Sequence, residues 1–342
     1  MKNNNKINWW YVIIVILVFP LIVTLWVYLV INHSVIDLTD KNNIGDALGG
    51  ITNPIIGLFG VIVTFLAFYI QYQFNREQSK LIAAQRRERE EDKKEQIKQN
   101  SRQAFDKKFY ELLKLHNDNV REFNIDNKYY GRKTFVKIHN ELTDLDNLVR
   151  IYLKDLDNFE KCKVSYELLF HGFDSFKFLL LEEHKSVNSK YYSLLKEIGH
   201  IHRLYEKDKA EGKEFYYGLF FDSYDYYPFD GHSHRLNHYF RHLLNFLEII
   251  DAEPYFEDYE KQQYFDIIRG QLSNYEQVII YYNAIVWFPD KWHTFITKYR
   301  LIKNIPLELC NLDPKPDKYY IKEIEEYKKQ GIRIFNWVDL NN

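Results

Sequence analysis

Two long apolar runs without a charged residue dominate the first quarter of this 342-residue chain. They cover about residues 9–31 and 51–72, and each is long enough to cross the roughly 30 Å hydrocarbon core of a bilayer as a helix. A cleaved signal peptide would have a shorter apolar segment followed by a small-residue cleavage site, and neither feature occurs at the first run. Residues 1–75 are therefore predicted to be two transmembrane helices, a hairpin that anchors the chain in a lipid bilayer.

The charges that flank the two runs predict the topology. Residues 32–50 hold three Asp against one Lys, whereas seven Lys and Arg residues follow the second run between Arg76 and Lys94. Positive charge near transmembrane helices stays on the cytoplasmic side, so both termini are expected in the cytoplasm. Gly57 and Gly60 place small residues on the second helix, where another helix could approach closely, and we expect a homo-oligomer.

Residues 76–104 are predicted to be a charged helical linker, a long stalk that continues the second span. They contain no Pro or Gly and are rich in Gln, Glu, Lys and Arg, which are good helix formers. Between Gln85 and Gln103 the single large apolar residue is Ile97, so a coiled-coil seam is absent. This linker is expected to be a solvated spacer.

Residues 105–342 are predicted to form an α-helical cytoplasmic domain. Apolar residues recur there at spacings of three and four, as in Leu142, Leu145 and Leu148. Helices are expected at about 163–183, 187–210, 233–250, 260–286 and 318–330, with a strand possible at 331–338. Residues 104–342 carry 34 Lys and Arg against 39 Asp and Glu, a net charge of −5 that disfavours a broadly basic nucleic-acid surface. The two cysteines cannot form a disulfide framework.

Aromatic residues crowd into residues 215–229, where Asp, Ser, Pro and Gly make a helix unfavourable. The pattern predicts a long loop. We expect its rings to pack back over the helical core, although aromatic loops also form recognition surfaces. The composition leaves the role of this loop open.

Four histidines, at positions 232, 234, 238 and 242, form the most conspicuous group of chemically active residues. His234, His238 and His242 would share one helix face. No carboxylate or thiolate lies at a diagnostic spacing, and phosphate-loop, dinucleotide, zincin and hydrolase motifs are all missing. No metal site and no cofactor are predicted, and interface or partly buried histidines are favoured.

Arg235 and His242 fit the loose Arg-to-His spacing of the HEPN ribonucleases. In that class the resemblance implies metal-independent RNA cleavage, in which the His moves a proton and the Arg stabilises phosphate charge. RNA is a partner under this alternative only.

Arg269, Ser273 and Glu276 would share a polar face on an otherwise apolar helix. Buried charges are costly unless they are paired, so this face is either exposed or part of a polar network with neighbours such as Arg241. We expect the segment from His238 to His242 to pack against it.

Several separated segments carry a family resemblance. They are FYELLKLHN at 109–117, GRKTF at 131–135, HYFRHL at 238–243, IRGQLSNYE at 268–276 and YYN at 281–283. Together they resemble the phage abortive infection proteins of the AbiC type. The catalytic candidates are Arg241, His242, Arg269 and Glu276, which lie in these segments, and Arg235, which the HEPN-like spacing adds. The binding candidates are His116, Asn117, Arg132, His238, Gln271 and Ser273, and the resemblance assigns no reaction.

This resemblance implies anti-phage defence in a bacterium. We expect a multi-pass protein of the bacterial cytoplasmic (inner) membrane whose cytoplasmic helical domain senses infection, through a phage or host protein trigger, and blocks phage propagation. A membrane-tethered HEPN-like ribonuclease and a non-enzymatic, membrane-anchored interaction scaffold are the alternatives.

Overall fold

Helices form most of the chain, and the computed structural model describes residues 9–33, 41–184, 189–220 and 223–338. Twelve α-helices lie within these residues. They are α1 Trp9–His33, α2 Lys41–Glu122, α3 Arg132–Tyr152, α4 Asn158–His171, α5 Phe173–His184, α6 Ser189–Ala210, α7 Ser233–Asp251, α8 Asp258–Gln271, α9 Asn274–Val286, α10 Pro289–Thr297, α11 Pro316–Tyr319 and α12 Ile321–Lys329. Strands β1 Asn124–Ile125 and β2 Tyr129–Tyr130 pair antiparallel in a short hairpin. The prediction of a mainly α-helical chain is confirmed.

The chain divides between Lys98 and Gln99 into two units. The first contains α1 and the part of α2 up to Lys98. Phe19 of α1 stacks on Phe59 of α2, with ring centroids 3.6 Å apart. No described side chain of this unit is buried, and large apolar residues such as Phe65, which is 71% exposed, face outward. The unit therefore presents apolar surface where a water-soluble unit would bury it.

One helix of the described residues is long and apolar enough to cross a membrane, namely α2 from Thr52 onward. The apolar stretch described in α1, Leu17–Leu29, is shorter than a full span. The two-helix transmembrane hairpin therefore stays a prediction.

Residues 32–50 separate the two apolar runs in the sequence, but the second half of this segment is helical, because α2 begins at Lys41. No proline interrupts residues 41–50, and each of the glycines there costs a helix only about 1 kcal/mol. Residues 34–40, with Asp37 and Asp40, lie outside the described residues.

The second unit, from Gln99 onward, is built around α3 and α9. Leu142, Leu145 and Leu148 of α3 are fully buried, as their spacing predicts. Ten consecutive residues of α9, from Glu276 to Ile285, are buried, so this helix is covered on every side. α4 packs against both helices.

Several boundaries differ from the sequence prediction. Gly172 divides the predicted helix 163–183 into α4 and α5, and an extended Leu272 divides 260–286 into α8 and α9. The strand predicted at 331–338 is wrong, since these residues form turns and bends. There the backbone N–H of Asn336 donates to the Lys303 carbonyl, and this single bond continues into no ladder.

The aromatic loop packs as predicted over the helical core. Phe215, Phe220, Tyr224, Tyr226 and Phe229 are all buried, whereas residues 221–222 lie outside the described residues.

The end of this loop passes close to the junction of α4 and α5. This close approach requires glycine at two positions, Gly172 and Gly231. A Cβ on Gly231 would lie 2.5 Å from the backbone nitrogen of Gly172, and Gly231 has a φ of +93°. Both features exclude a larger residue there. The backbone N–H of His232 then donates to the carbonyls of Leu169 and Phe170, which fixes the start of α7.

Candidate functional site

Glu276 is a fully buried carboxylate at the start of α9, and three donors surround it. Arg132 Nε lies 3.3 Å from Glu276 Oε2, the Tyr239 hydroxyl lies 3.3 Å from Oε1, and the backbone N–H of Ser273 donates to Oε2 at 2.8 Å. A buried carboxylate is tolerated when it is paired in this way. Burial, together with the neighbouring Glu276 carboxylate, raises the pKa of Tyr239 well above its ordinary value, so Tyr239 stays a neutral donor.

A capping box positions Glu276. Ser273 is the N-cap of α9. Its hydroxyl accepts a hydrogen bond from the backbone N–H of Glu276 at 3.3 Å, and the Glu276 carboxylate accepts one from the backbone N–H of Ser273. The sequence SNYE at 273–276 carries the Ser-x-x-Glu signature of this motif. This signature predicts the start of a new helix at Ser273. The expectation of one helix over 260–286 did not take it into account.

Arg132 joins α3 to the ends of two other helices. Gly131 precedes it with a φ of +58°, a conformation that favours glycine and turns the chain from β2 into α3. Arg132 Nη2 donates to the Gln271 carbonyl at 2.6 Å and lies 3.5 Å from Asn117 Oδ1. The Arg132 side chain is 47% exposed, so the buried Glu276 carboxylate has one partner that reaches solvent.

A pair of histidines lies next to this network. The rings of His116 on α2 and His242 on α7 stack with centroids 6.1 Å apart, and His116 lies 5.5 Å from the Tyr239 ring. All four ring nitrogens are buried without a hydrogen-bond partner. Burial, followed by nearby His242 and Arg132, lowers the pKa of His116 to about 4. His116 is therefore neutral at physiological pH.

Seven of the predicted site residues, from four separate stretches of sequence, thus meet in one place, together with Tyr239. We call this set the Arg132 cluster: His116, Asn117, Arg132, Tyr239, His242, Gln271, Ser273 and Glu276. Tyr239 is the member that the sequence analysis does not single out. Nothing in the sequence around Tyr239 indicates a functional role, because a tyrosine among the apolar residues of a helix resembles an ordinary core residue.

The other predicted residues lie apart from the Arg132 cluster. Arg269 Nη2 pairs with Asp266 at 2.9 Å, and its Nη1 donates to the Arg300 carbonyl. Arg241 and His238 are exposed on α7. The packing predicted between residues 238–242 and the 269–276 helix is therefore made by Tyr239, which reaches Glu276, while Arg241 and Arg269 take no part in it.

A second buried carboxylate, Glu141 on α3, was not predicted. It accepts from the Tyr226 hydroxyl at 3.0 Å and the Phe229 backbone N–H at 2.9 Å, and lies 3.1 Å from His232 Nε2. We call Glu141 and these three partners the Glu141 network. All four residues are buried, so the network seals the aromatic loop onto α3.

The residues of the ribonuclease-like pair line different cavities. His242 lines a cavity of about 690 Å³ beside α10, whereas Arg235 lines one of about 260 Å³ near β1. Arg235 also donates to the Asn124 carbonyl and lies 3.3 Å from His232 Nδ1. Neither of these two cavities is lined by both Arg235 and His242, although His238 lines both. In the described part of the chain no three His, Cys, Asp or Glu side chains are grouped to hold a metal ion.

The fold and the site together define a mainly helical chain that has, among its described residues, one apolar helix of membrane-spanning length and a polar cluster open to solvent on one side. Residues 231–309 match the model of the family described as "Putative phage abortive infection protein". This is the AbiC-type family that the motifs resemble, and the match confirms the resemblance. It covers α7 to α10, including Tyr239, Ser273 and Glu276, but not His116 or Arg132. No curated protein and no solved structure matches the chain.

Proposed function

We propose that this protein is a membrane-anchored anti-phage defence protein that uses the Arg132 cluster to detect infection and then blocks phage propagation. The observation that carries the proposal is the convergence of family-like motifs. Segments around residues 116, 132, 239 and 273 are distant in sequence, yet their polar side chains form one connected set around Glu276. Part of that set lies inside the segment that matches the abortive infection family.

The open side of the cluster supports a sensing role. An ion pair enclosed on both sides cannot contact a second molecule, whereas Arg132 leaves nearly half of its side chain accessible. A guanidinium in this position can donate to a carboxylate or phosphate of a bound partner without first breaking its bond to Glu276. We therefore assign Arg132 the contact with a phage or host protein trigger.

The exposed apolar surface of the first unit supports the membrane anchor. Leu21, Leu58, Val61 and Phe68 are each more than 60% exposed. Burying apolar area in lipid contributes roughly 25 cal/mol per Å², which favours insertion of such a surface into a bilayer. We place the anchor in the bacterial inner membrane as a two-helix hairpin with both termini in the cytoplasm.

Phage plating tests the defensive role. Cells that express the full chain should reduce plaque number or burst size for at least one phage of a varied panel, relative to cells with empty vector. Unchanged plaque number and burst size across the panel would contradict the proposal. Reporter fusions test the anchor separately: a reporter that works only in the periplasm, fused to the carboxy terminus, should be inactive.

A ribonuclease remains the competing hypothesis, supported by the position of Arg235 and His242 seven residues apart on one helix, α7. It predicts that Arg235→Ala and His242→Ala abolish defence equally while His238→Ala has a mild effect. RNA integrity and membrane potential, measured after infection, distinguish it from a membrane-perturbing effector and from a scaffold. Full defence by Arg235→Ala would end the ribonuclease hypothesis.

A further inference from the structure

A second candidate site lies on the solvent-facing side of α7, in the cavity of about 690 Å³. This volume is in the range of pockets that hold small ligands. Its walls come from α7 and from the start of α10, so rigid helices position the lining side chains. The Arg132 cluster touches it through His242 alone.

The cavity lining contains more positive than negative side chains. Arg241 and Lys291 line it, and neither makes an ion pair with any residue that the structure describes. Glu248 is the single carboxylate in the lining. The unit as a whole is acidic, so two cations in one cavity, one from α7 and one from α10, favour an anionic ligand.

An exposed aromatic ring lies beside these cations. Phe288 is 41% exposed, and Lys291 Nζ lies 5.6 Å from the centroid of its ring. Phe288 immediately precedes Pro289, the first residue of α10, which limits the conformations of this segment. An exposed ring next to phosphate-binding cations is the arrangement on which a nucleic acid base stacks.

Two amide side chains complete the lining. Asn237 and Asn245 lie on exposed positions of α7, and neither side chain hydrogen-bonds to another residue in the described ranges. An amide offers both donors and acceptors and can therefore pair with the edge of a base or with ribose hydroxyls. Cations, an aromatic platform and unsatisfied amides thus share one cavity.

We propose that this cavity binds a nucleotide. The base stacks on Phe288, the phosphates contact Arg241 and Lys291, and Asn237 or Asn245 reads polar groups of the base or ribose. This goes beyond the proposed defensive role, since it assigns a small-molecule ligand to a surface that the family match leaves unassigned.

Isothermal titration calorimetry of the full chain in detergent micelles tests the proposal, with ATP, GTP, UTP and CTP as separate probes. At least one should bind saturably at one site per chain. Arg241→Ala, Lys291→Ala and Phe288→Ala should each weaken that binding at least tenfold. The matched control Lys322→Ala removes an exposed cation from α12 and should leave the affinity unchanged.

Three outcomes would overturn the proposal. The first is no binding of any of the four nucleotides at millimolar concentration. The second is pyrophosphate that binds as tightly as the best nucleotide, because the base would then contribute nothing. The third is a short single-stranded RNA that binds while all mononucleotides fail, because the surface would then serve a polymer. Each result is independent of plaque formation, so it stands whether or not the chain protects cells.

Discussion

Glu141 and Glu276 are both buried, but they differ in the solvent exposure of their partners. This difference separates a role in folding from a role in function. Glu141 contacts Tyr226, Phe229 and His232, and all three of these direct partners are buried. Glu276 is buried just as deeply, yet its partner Arg132 is 47% exposed. A closed network can act only on the fold, whereas an open one can also contact a second molecule. The comparison predicts that the Glu141 network determines stability and the Arg132 cluster determines activity.

The largest expected effect on stability comes from Glu141→Ala. The substitution leaves the Tyr226 hydroxyl, the Phe229 N–H and a ring nitrogen of His232 without their acceptor. Each unsatisfied buried group costs about 1–3 kcal/mol, so the free energy of unfolding should fall by more than about 3 kcal/mol. Thermal unfolding followed by tryptophan fluorescence measures it. Glu248→Ala, at an exposed position of α7, is the control and should change stability by less than about 0.5 kcal/mol. Equal stability of the two variants would break the comparison.

The next effect concerns pH and His116. Because burial lowers the pKa of His116 to about 4 from 6.5, the unfolded chain binds the proton more readily than the folded one. The free energy of unfolding should therefore be at its full value above about pH 6.5. It should decline as the pH falls towards 4, by up to about 3 kcal/mol at 1.36 kcal/mol per pKa unit.

Unfolding temperature, measured from pH 7 to pH 4, checks this decline. His116→Leu should flatten the profile over that interval. His200→Gln, which replaces an exposed histidine of α6, should leave it unchanged. Parallel profiles for the wild type and His116→Leu would show that His116 is not the group that titrates.

A smaller effect comes from a matched pair of hydroxyl deletions. Tyr226→Phe removes one donor to Glu141, and Tyr239→Phe removes one donor to Glu276. Each should lower the free energy of unfolding by about 1 kcal/mol, because a single buried hydrogen bond is lost and the carboxylate keeps other donors. Phage plating should separate them: Tyr239→Phe should weaken defence and Tyr226→Phe should not. If both variants protect cells equally well, the division between the two networks fails.

Arg132→Ala should have the smallest effect on stability. Its side chain is nearly half exposed, so water can reach the position that the guanidinium leaves and solvate the buried Glu276 carboxylate from that side. Glu276 keeps the Tyr239 hydroxyl and the Ser273 N–H as donors. Chemical denaturation in detergent should place this variant within about 1 kcal/mol of the wild type. A loss above 3 kcal/mol would make Arg132 a structural residue like Glu141.

The sequence predicted much of this architecture because apolar spacing determines which helix faces are buried. Leu142, Leu145 and Leu148 follow that rule. Spacing could not predict the break at Leu272, since the residues on both sides favour helix and only the capping box of Ser273 and Glu276 favours a new start.

The candidate site was predictable in its members but not in its contacts. Family-like motifs nominated His116, Arg132 and Glu276, whereas their meeting depends on how α2, α3 and α9 pack. Glu141 escaped prediction because a carboxylate between apolar positions of α3 resembles a solvent-facing residue until its partners from the aromatic loop are known. For Arg269 the error was the reverse, since its polar neighbours in the sequence predicted a place in the network around Glu276. In the structure Arg269 pairs with Asp266 and donates to the Arg300 carbonyl instead.

Phage plating of cells expressing Arg132→Ala tests the central claim most directly. The matched control is Arg150→Ala, because Arg150 likewise pairs a partly exposed guanidinium with a buried carboxylate, that of Asp146, outside the Arg132 cluster. Membrane abundance of both variants is measured by immunoblot. We predict that Arg132→Ala abolishes protection at wild-type abundance while Arg150→Ala still protects. Full protection by Arg132→Ala at that abundance would contradict the account.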